Sequence, residues 1–385
     1  MKLPPSNVDY LECSFSKKLY EPSQLYNLPG SDRPLIVHYD LQSVNNTLTK
    51  SDLAKRQQNI WRYRELLPVP PGLELISLGE NWTPLIKLSS IPSCPDKAEI
   101  LIKDETRMPL GTITARDCAL AVTMAKALGV EHISIQNDGN EGPTLAAYCC
   151  RAGLKATVVC SEKTPDKIVR EMTFHGAIVH RIRSPINQLD NLLSENEEAN
   201  GHYDITIFRE PYRLEGRKTL GFELAEQLGW KLPDLIFYPT SNGAGLVALW
   251  KAFNELEEIG WIGAQRPRMI AVQPTGCAPI VKAFEDRKVF LEQPWEKITT
   301  KIQSLQVSSP RADFLSLQVI QDSGGFGVTI SDEEAIDVRN EIGLSEGIKL
   351  GLEGALCVAA YRKMLLSNMI SKRDQAVILN TAKGD

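Results

Sequence analysis

Residues 234–260 read DLIFYPTSNGAGLVALWKAFNELEEIG. DLIFYPTS is a short apolar run bounded by turn residues, as a strand buried on both faces is. GLVALWKAFNELEEIG then carries apolar residues at helical spacing and stops at a glycine, Gly260. Between them lies a turn, Thr240 to Gly245, whose glycines let backbone N–H groups approach an anion closely. The helix start adds favourable partial charge. Ser241, Asn242, Gly243, Ala244 and Gly245 are therefore a candidate anion-binding loop. The plainer reading is a strand–helix turn that needs glycine for geometry alone.

The same alternation runs outward in both directions. Downstream come a strand in RMIAVQPTG (268–276), helices around EEAIDVRNEIG (333–343) and GALCVAAYRKMLLS (354–367), and a strand in QAVILNTAKG (375–384). Upstream lies the helix LEGRKTLGFELAEQLG (214–229). Before it, strands in AEILIKDE, HISIQND, KATVVCSE and AIVHRIR alternate with helices in ARDCALAVTMAKALG, TLAAYCCRAG, DKIVREMTFHG and INQLDNLLSENEEAN. Such a pattern predicts an α/β fold with open, mainly parallel sheets. The first 66 residues differ: they are polar, with one helical stretch near SDLAKRQQNIWRYRELL, and read as an N-terminal extension packed on the body.

At 385 residues the chain is long enough for two domains with sizeable cores. A net charge of -5 argues against a general nucleic-acid or anionic-membrane surface. No apolar run approaches the roughly 20 residues that cross a bilayer, and MKLPPSNVDYLECSF has no signal-peptide pattern. A cytoplasmic protein is the expectation. The eight cysteines form no C-x-x-C pair and read as reduced thiols, mostly buried. The five histidines are scattered, so no metal cluster is expected.

Several segments together resemble threonine synthase, a fold-type-II enzyme dependent on pyridoxal phosphate (PLP). They are HYDL, NIWRYRELLPV, LGENWTPL, LIKDE, TLAAYCCRAGLKATVV, EPYRLEGRKTLGFELAEQLGW, LVALWKAFNELEEIG, SGGFGVTISDEEA and EIGLSEGIKLGLEGA. The similarity runs from about residue 8 to the end, and EPYRLEGRKTLGFE is its most specific piece. It implies the two-domain fold of tryptophan synthase β and its relatives. The large domain would comprise 67–110 and 210–385, the small one 111–209. It also implies a homodimer.

Departures from the family gather at the chemistry. The family's P-T-G-S-F-K-[DA]-R-G loop supplies the lysine that forms an imine with PLP and then moves protons on the substrate. Here the run is Pro109-Leu110-Gly111-Thr112-Ile113-Thr114-Ala115-Arg116-Asp117, and with Gly111 and Arg116 in register Thr114 takes the lysine's place. A threonine hydroxyl forms no imine. The family's S-T-G-N-T becomes Asn137-Asp138-Gly139-Asn140-Glu141, which keeps the asparagine that meets the cofactor ring and adds two carboxylates. The anion loop keeps its character. Near the end, Thr381 matches the residue that faces the pyridine nitrogen, while Lys349 and Lys383 are gained and Gly351 replaces a carboxylate.

Three functional readings follow. The leading one is a threonine synthase-like enzyme of lyase or transferase type that acts on a small anionic amino-acid-like metabolite. PLP would then be absent or held without a covalent bond. Asp138, Glu141 or Lys383 would supply acid/base chemistry, with Thr114 at the vacated lysine position. Thr112, Asn140, Ser241–Gly245, Lys349 and Thr381 would bind the ligand. The second reading is a catalytically dead binder of a metabolite or partner. The third is an ordinary PLP-dependent enzyme carrying a lysine mutation. Each singled residue also has a plain role: Thr112 or Thr114 as a helix cap, Arg116 as an ion-pair partner, the loop acids and lysines as solvated charges.

Overall fold

The computed structural model describes residues 5–22, 24–28, 33–89, 91, 99–137, 139–183 and 201–383. Its strands, in chain order, are β1 (Val8–Cys13), β2 (Leu19–Tyr20), β3 (Leu35–Tyr39), β4 (Leu85–Lys87), β5 (Ile100–Asp104), β6 (His132–Gln136), β7 (Lys155–Ser161), β8 (Ile178–Ile182), β9 (Tyr203–Asp204), β10 (Leu235–Pro239), β11 (Arg268–Pro274), β12 (Phe326–Ile330) and β13 (Ala376–Asn380). The chain divides into two compact units, one of Met1–Trp82 with Thr114–Thr219 and one of Thr83–Ile113 with Leu220–Asp385. The sequence reading put divisions at 66/67, 110/111 and 209/210; the compact units divide at 82/83, 113/114 and 219/220. The last division falls inside the helix Tyr212–Gln227.

In the first unit, residues expected to be a polar extension with one helix instead form an antiparallel sheet in the order β2-β1-β3. The helix read across 51–67 is two pieces. Lys50–Ala54 starts on a capping box made by Thr49 and Asp52, and a 3-10 helix covers Ile60–Leu66. Between them, backbone pairing wins over helix propensity. Ile60 N donates to the Glu80 carbonyl at 3.1 Å, Trp82 N donates to the Gln58 carbonyl at 2.8 Å, and Asn59 and Asn81 form an antiparallel bridge.

The other sheet of this unit has the order β8-β7-β6-β9, with every neighbouring pair parallel. The helices Thr114–Ala127, Glu141–Ala152 and Asp166–Phe174 alternate with its strands, where the apolar periodicity placed them. The predicted helix in 186–200 lies outside the described residues.

In the second unit a six-stranded sheet has the order β12-β11-β10-β13-β5-β4, parallel except for β4 against β5. The central strands β10 and β13 are buried at every residue and almost wholly apolar, as strands covered on both sides require. Phe237, Val272, Ile102, Ile378, Leu356 and Tyr361 share one core. No helix of the described residues is long and apolar enough to cross a membrane.

Candidate functional site

The first unit holds Thr114, Asn140 and Glu141; Asp138 lies outside the described residues. Thr114 is buried and is the first residue of the helix Thr114–Ala127. The asparagine loop is shaped by Asn137, whose Oδ1 accepts from Gly139 N at 2.8 Å and Gly142 N at 3.1 Å. Asn140 occupies the N-cap position of the helix Glu141–Ala152 without capping it through its side chain, which is exposed.

Glu141, one of the acid/base candidates, is ion-paired. Arg213 lies 3.2 Å from its Oε2 through one guanidinium nitrogen and 3.3 Å from Asp117 Oδ2 through the other. Arg217 grips the same Asp117, with Nε 2.9 Å from Oδ1 and a terminal nitrogen on Oδ2. Burial pushes the Glu141 carboxyl up, but Arg213 and Arg217 outweigh it and hold the carboxyl below its ordinary value. Two carboxylates that depart from the family loops are thus spent on each other's arginines. Glu210 caps the next helix, its carboxylate accepting from Tyr212 N and Arg213 N at 2.7 Å each. Burial, only partly offset by those bonds and by Arg213, raises Glu210 to about 7.

The arginines ride on EPYRLEGRKT, and Gly216 explains part of that motif. A Cβ there would lie 2.2 Å from the Arg116 carbonyl oxygen, so only glycine permits this approach to the helix Thr114–Ala127. Arg116 also donates to Thr219 Oγ1 at 3.1 Å. Arg213, Arg217 and Glu210 were not singled out from the sequence. The available signal was the run EPYRLEGRKTLGFE itself, the most specific piece of the resemblance.

The second unit brings three of its candidates together. Ile113 N donates to the Thr381 carbonyl at 2.9 Å, Lys383 N donates to the Gly111 carbonyl at 2.8 Å, and Thr112 bridges Ala382. Thr112 and Thr381 are buried; Lys383 is exposed, with its stem against Gly111. Gly351 belongs to the same contact, because a Cβ there would stand 2.3 Å from the Ala382 carbonyl oxygen. A carboxylate side chain has no room at 351 with this end of the chain in place. Lys349 is exposed on the stretch after the helix Asp332–Glu346.

The anion loop leads into the helix Ala244–Glu258 as read, with Ser241 and Asn242 half-buried. Its glycines have packing reasons of their own. Gly243 has φ of +81°, and a Cβ there would lie 1.8 Å from Ser316 Oγ; one at Gly245 would lie 1.8 Å from the Tyr238 ring.

A family model described as "Pyridoxal-phosphate dependent enzyme" matches residues 76–382. The chain belongs to that family. Threonine synthase from Methanocaldococcus jannaschii is 30% identical over 351 residues, 91% of this chain and 86% of that protein. The threonine synthase of Methanosarcina acetivorans is 30% identical over 358 residues, covering 93% and 87%. Among solved structures, maize serine racemase superposes with a TM-score of 0.67 at 16% identity, covering 79% of this chain and 89% of that one. Threonine deaminase isoform 2 from Solanum lycopersicum gives 0.64 at 17%, covering 79% and 84%. These superpositions carry the fold, which is that of a fold-type-II PLP enzyme; the sequence relatives make the chain threonine synthase-like.

An imine-bound PLP does not fit a threonine at 114, which carries no amine. The two lysines among the largest fully buried side chains, Lys103 and Lys218, each contact a buried carboxylate, Glu223 and Glu215.

Proposed function

We propose that this chain is a threonine synthase-like metabolic enzyme that works without an imine at position 114. It is of lyase or transferase type and takes a small, anionic, amino-acid-like substrate, with PLP bound non-covalently or dispensed with. The observation that carries this reading is Thr114 itself, a buried hydroxyl at the head of its helix, with one charged departure from each of the two altered loops ion-paired to the same arginine. Asp117 and Glu141 share Arg213. A lysine changed by a single substitution would not come with a matched set of buried charges, so the pairing supports a natural loop over a mutated one.

In this reading the roles divide by chemistry. The helix start at Ala244, with Ser241 and Asn242 exposed enough to donate, binds the anionic group. Lys383 is the remaining described acid/base candidate, because Glu141 is committed to Arg213. That commitment also favours a second reading, a protein that binds the metabolite and does not turn it over.

Thermal shift with PLP, phosphorylated hydroxy-amino acids and dicarboxylic amino acids, followed by assays for phosphate or ammonia release, separates them. Saturable stabilisation with product release supports the enzyme, and stabilisation without product supports the binder. Failure of every anionic amino acid to stabilise the protein would sink both.

A further inference from the structure

The sheet β8-β7-β6-β9 carries a cluster that none of the roles above uses. His132 opens β6 and His202 immediately precedes β9; their rings stack with centroids 3.6 Å apart and planes 35° from parallel. In the parallel pairing of these strands Ile133 is level with Tyr203 and Ser134 with Asp204, so the stack sits at the leading end of the pairing. His132 is level with Lys155 on β7, and its Nε2 lies 2.8 Å from Thr157 Oγ1.

Strand β9 is only two residues long. Beyond it Ile205 N donates to the Ser134 carbonyl at 3.0 Å, and Tyr203 Oη donates to the Tyr26 carbonyl at 3.0 Å. The chain then runs directly into the buried charges: Arg209 Nε lies 3.0 Å from Asp204 Oδ2, and Arg213 donates to the Ile205 carbonyl at 3.1 Å.

The surroundings of the stack are cationic or become so on protonation. Burial, His202 and Lys155 all push His132 below its ordinary value, and burial and His180 do the same to His202. The nearby carboxylates are engaged or turned to solvent. Asp204 accepts from Thr206 N at 2.7 Å and faces Arg209. Glu141, on the helix packed against β6, is held by Arg213. Glu131, next to His132 in the chain, is exposed, as is Arg151. On β8, Arg181 is paired with Asp166.

We propose that the His132–His202 stack is an acid-sensitive latch on β9. Neutral, the rings pack together and hold the short strand in register. Protonated beside Lys155, they repel, releasing β9 and the chain that leads to Glu210. Both imidazoles take up protons more readily unlatched than latched. The latch therefore weakens as pH falls below about 6.5, by up to about tenfold per histidine per pH unit, until the latched form is protonated too.

Hydrogen exchange of the full chain, read by mass spectrometry at pH 7.5 and 5.5 and corrected for intrinsic rates, tests this. Residues 201–205 of the wild type, which precede Glu210, should exchange about tenfold faster or more at pH 5.5. His202→Phe, which keeps a ring that cannot charge, should accelerate less, by up to about tenfold, because only His132 is left to take up a proton. Equal acceleration in both proteins, or none in the wild type, would overturn the latch. Should His202→Phe fail to fold, the wild-type histidine C2-proton titration decides. Two resonances titrating below the ordinary histidine value support the latch, and their absence refutes it.

Discussion

Arg217 holds Asp117 by both carboxylate oxygens, with Nε 2.9 Å from Oδ1, and Arg213 extends that carboxylate's pairing to Glu141. All of these groups lie in one unit and are largely removed from water, so each charge depends on its partner. Asp117→Asn would remove the carboxylate that both buried guanidiniums contact. Breaking a buried pair from one side costs about 3–5 kcal/mol. Urea denaturation should show a lower midpoint with an unchanged slope. Asp117→Asn combined with Arg217→Gln should lose less than the two single changes added together.

Gly216 and Gly343 separate packing from propensity. A Cβ at 216 meets the Arg116 backbone, whereas one at 343, inside the helix Asp332–Glu346, meets nothing within 4 Å. Gly216→Ala should destabilise by about 1–3 kcal/mol or more through overpacking. Gly343→Ala should stabilise by about 0.5–1 kcal/mol through helix propensity. Thermal melts of the two variants would check the opposite signs.

Glu210 sets a pH dependence of known sign. Burial raises it to about 7, above the ordinary glutamate value of about 4.3, so the folded protein binds its proton more tightly than the unfolded one. Its stabilising contribution is full below about 4.3 and is lost as pH rises through about 7, at up to about 1.4 kcal/mol per pH unit. Glu210→Gln should flatten the fall in stability between pH 5 and 7, measured by urea titration at fixed ionic strength. An unchanged slope would mean that the carboxyl titrates normally.

Much of the fold was legible because the parallel strands are short apolar runs and the helices between them carry clear periodicity. DLIFYP became β10, and the turn after it became the start of a helix. The N-terminal 66 residues were not legible. Their sheet is held by pairing between distant positions, such as Leu11 with Val37, which no local pattern announces. The helix expected across 51–67 broke because Gln58 and Ile60 pair with Trp82 and Glu80. Helices at Pro279–Glu285 and Asp313–Asp322 also escaped, being short and weakly patterned.

The site divides in the same way. The altered loops stood out in the sequence by resemblance, but the fate of their charges did not. Glu141 reads as a loop acid until Arg213, 72 positions along the chain, is seen beside it. Gly351 reads as a lost carboxylate until the Ala382 carbonyl is found in the space.

Absorbance between about 300 and 500 nm with PLP added, followed by borohydride reduction and peptide mapping, reads out whether position 114 supports an imine. Wild-type protein should yield no covalent pyridoxyl peptide, while Thr114→Lys, which supplies the missing amine, should yield one at residue 114. A band in the wild type that borohydride fixes to any lysine of the chain would contradict the account.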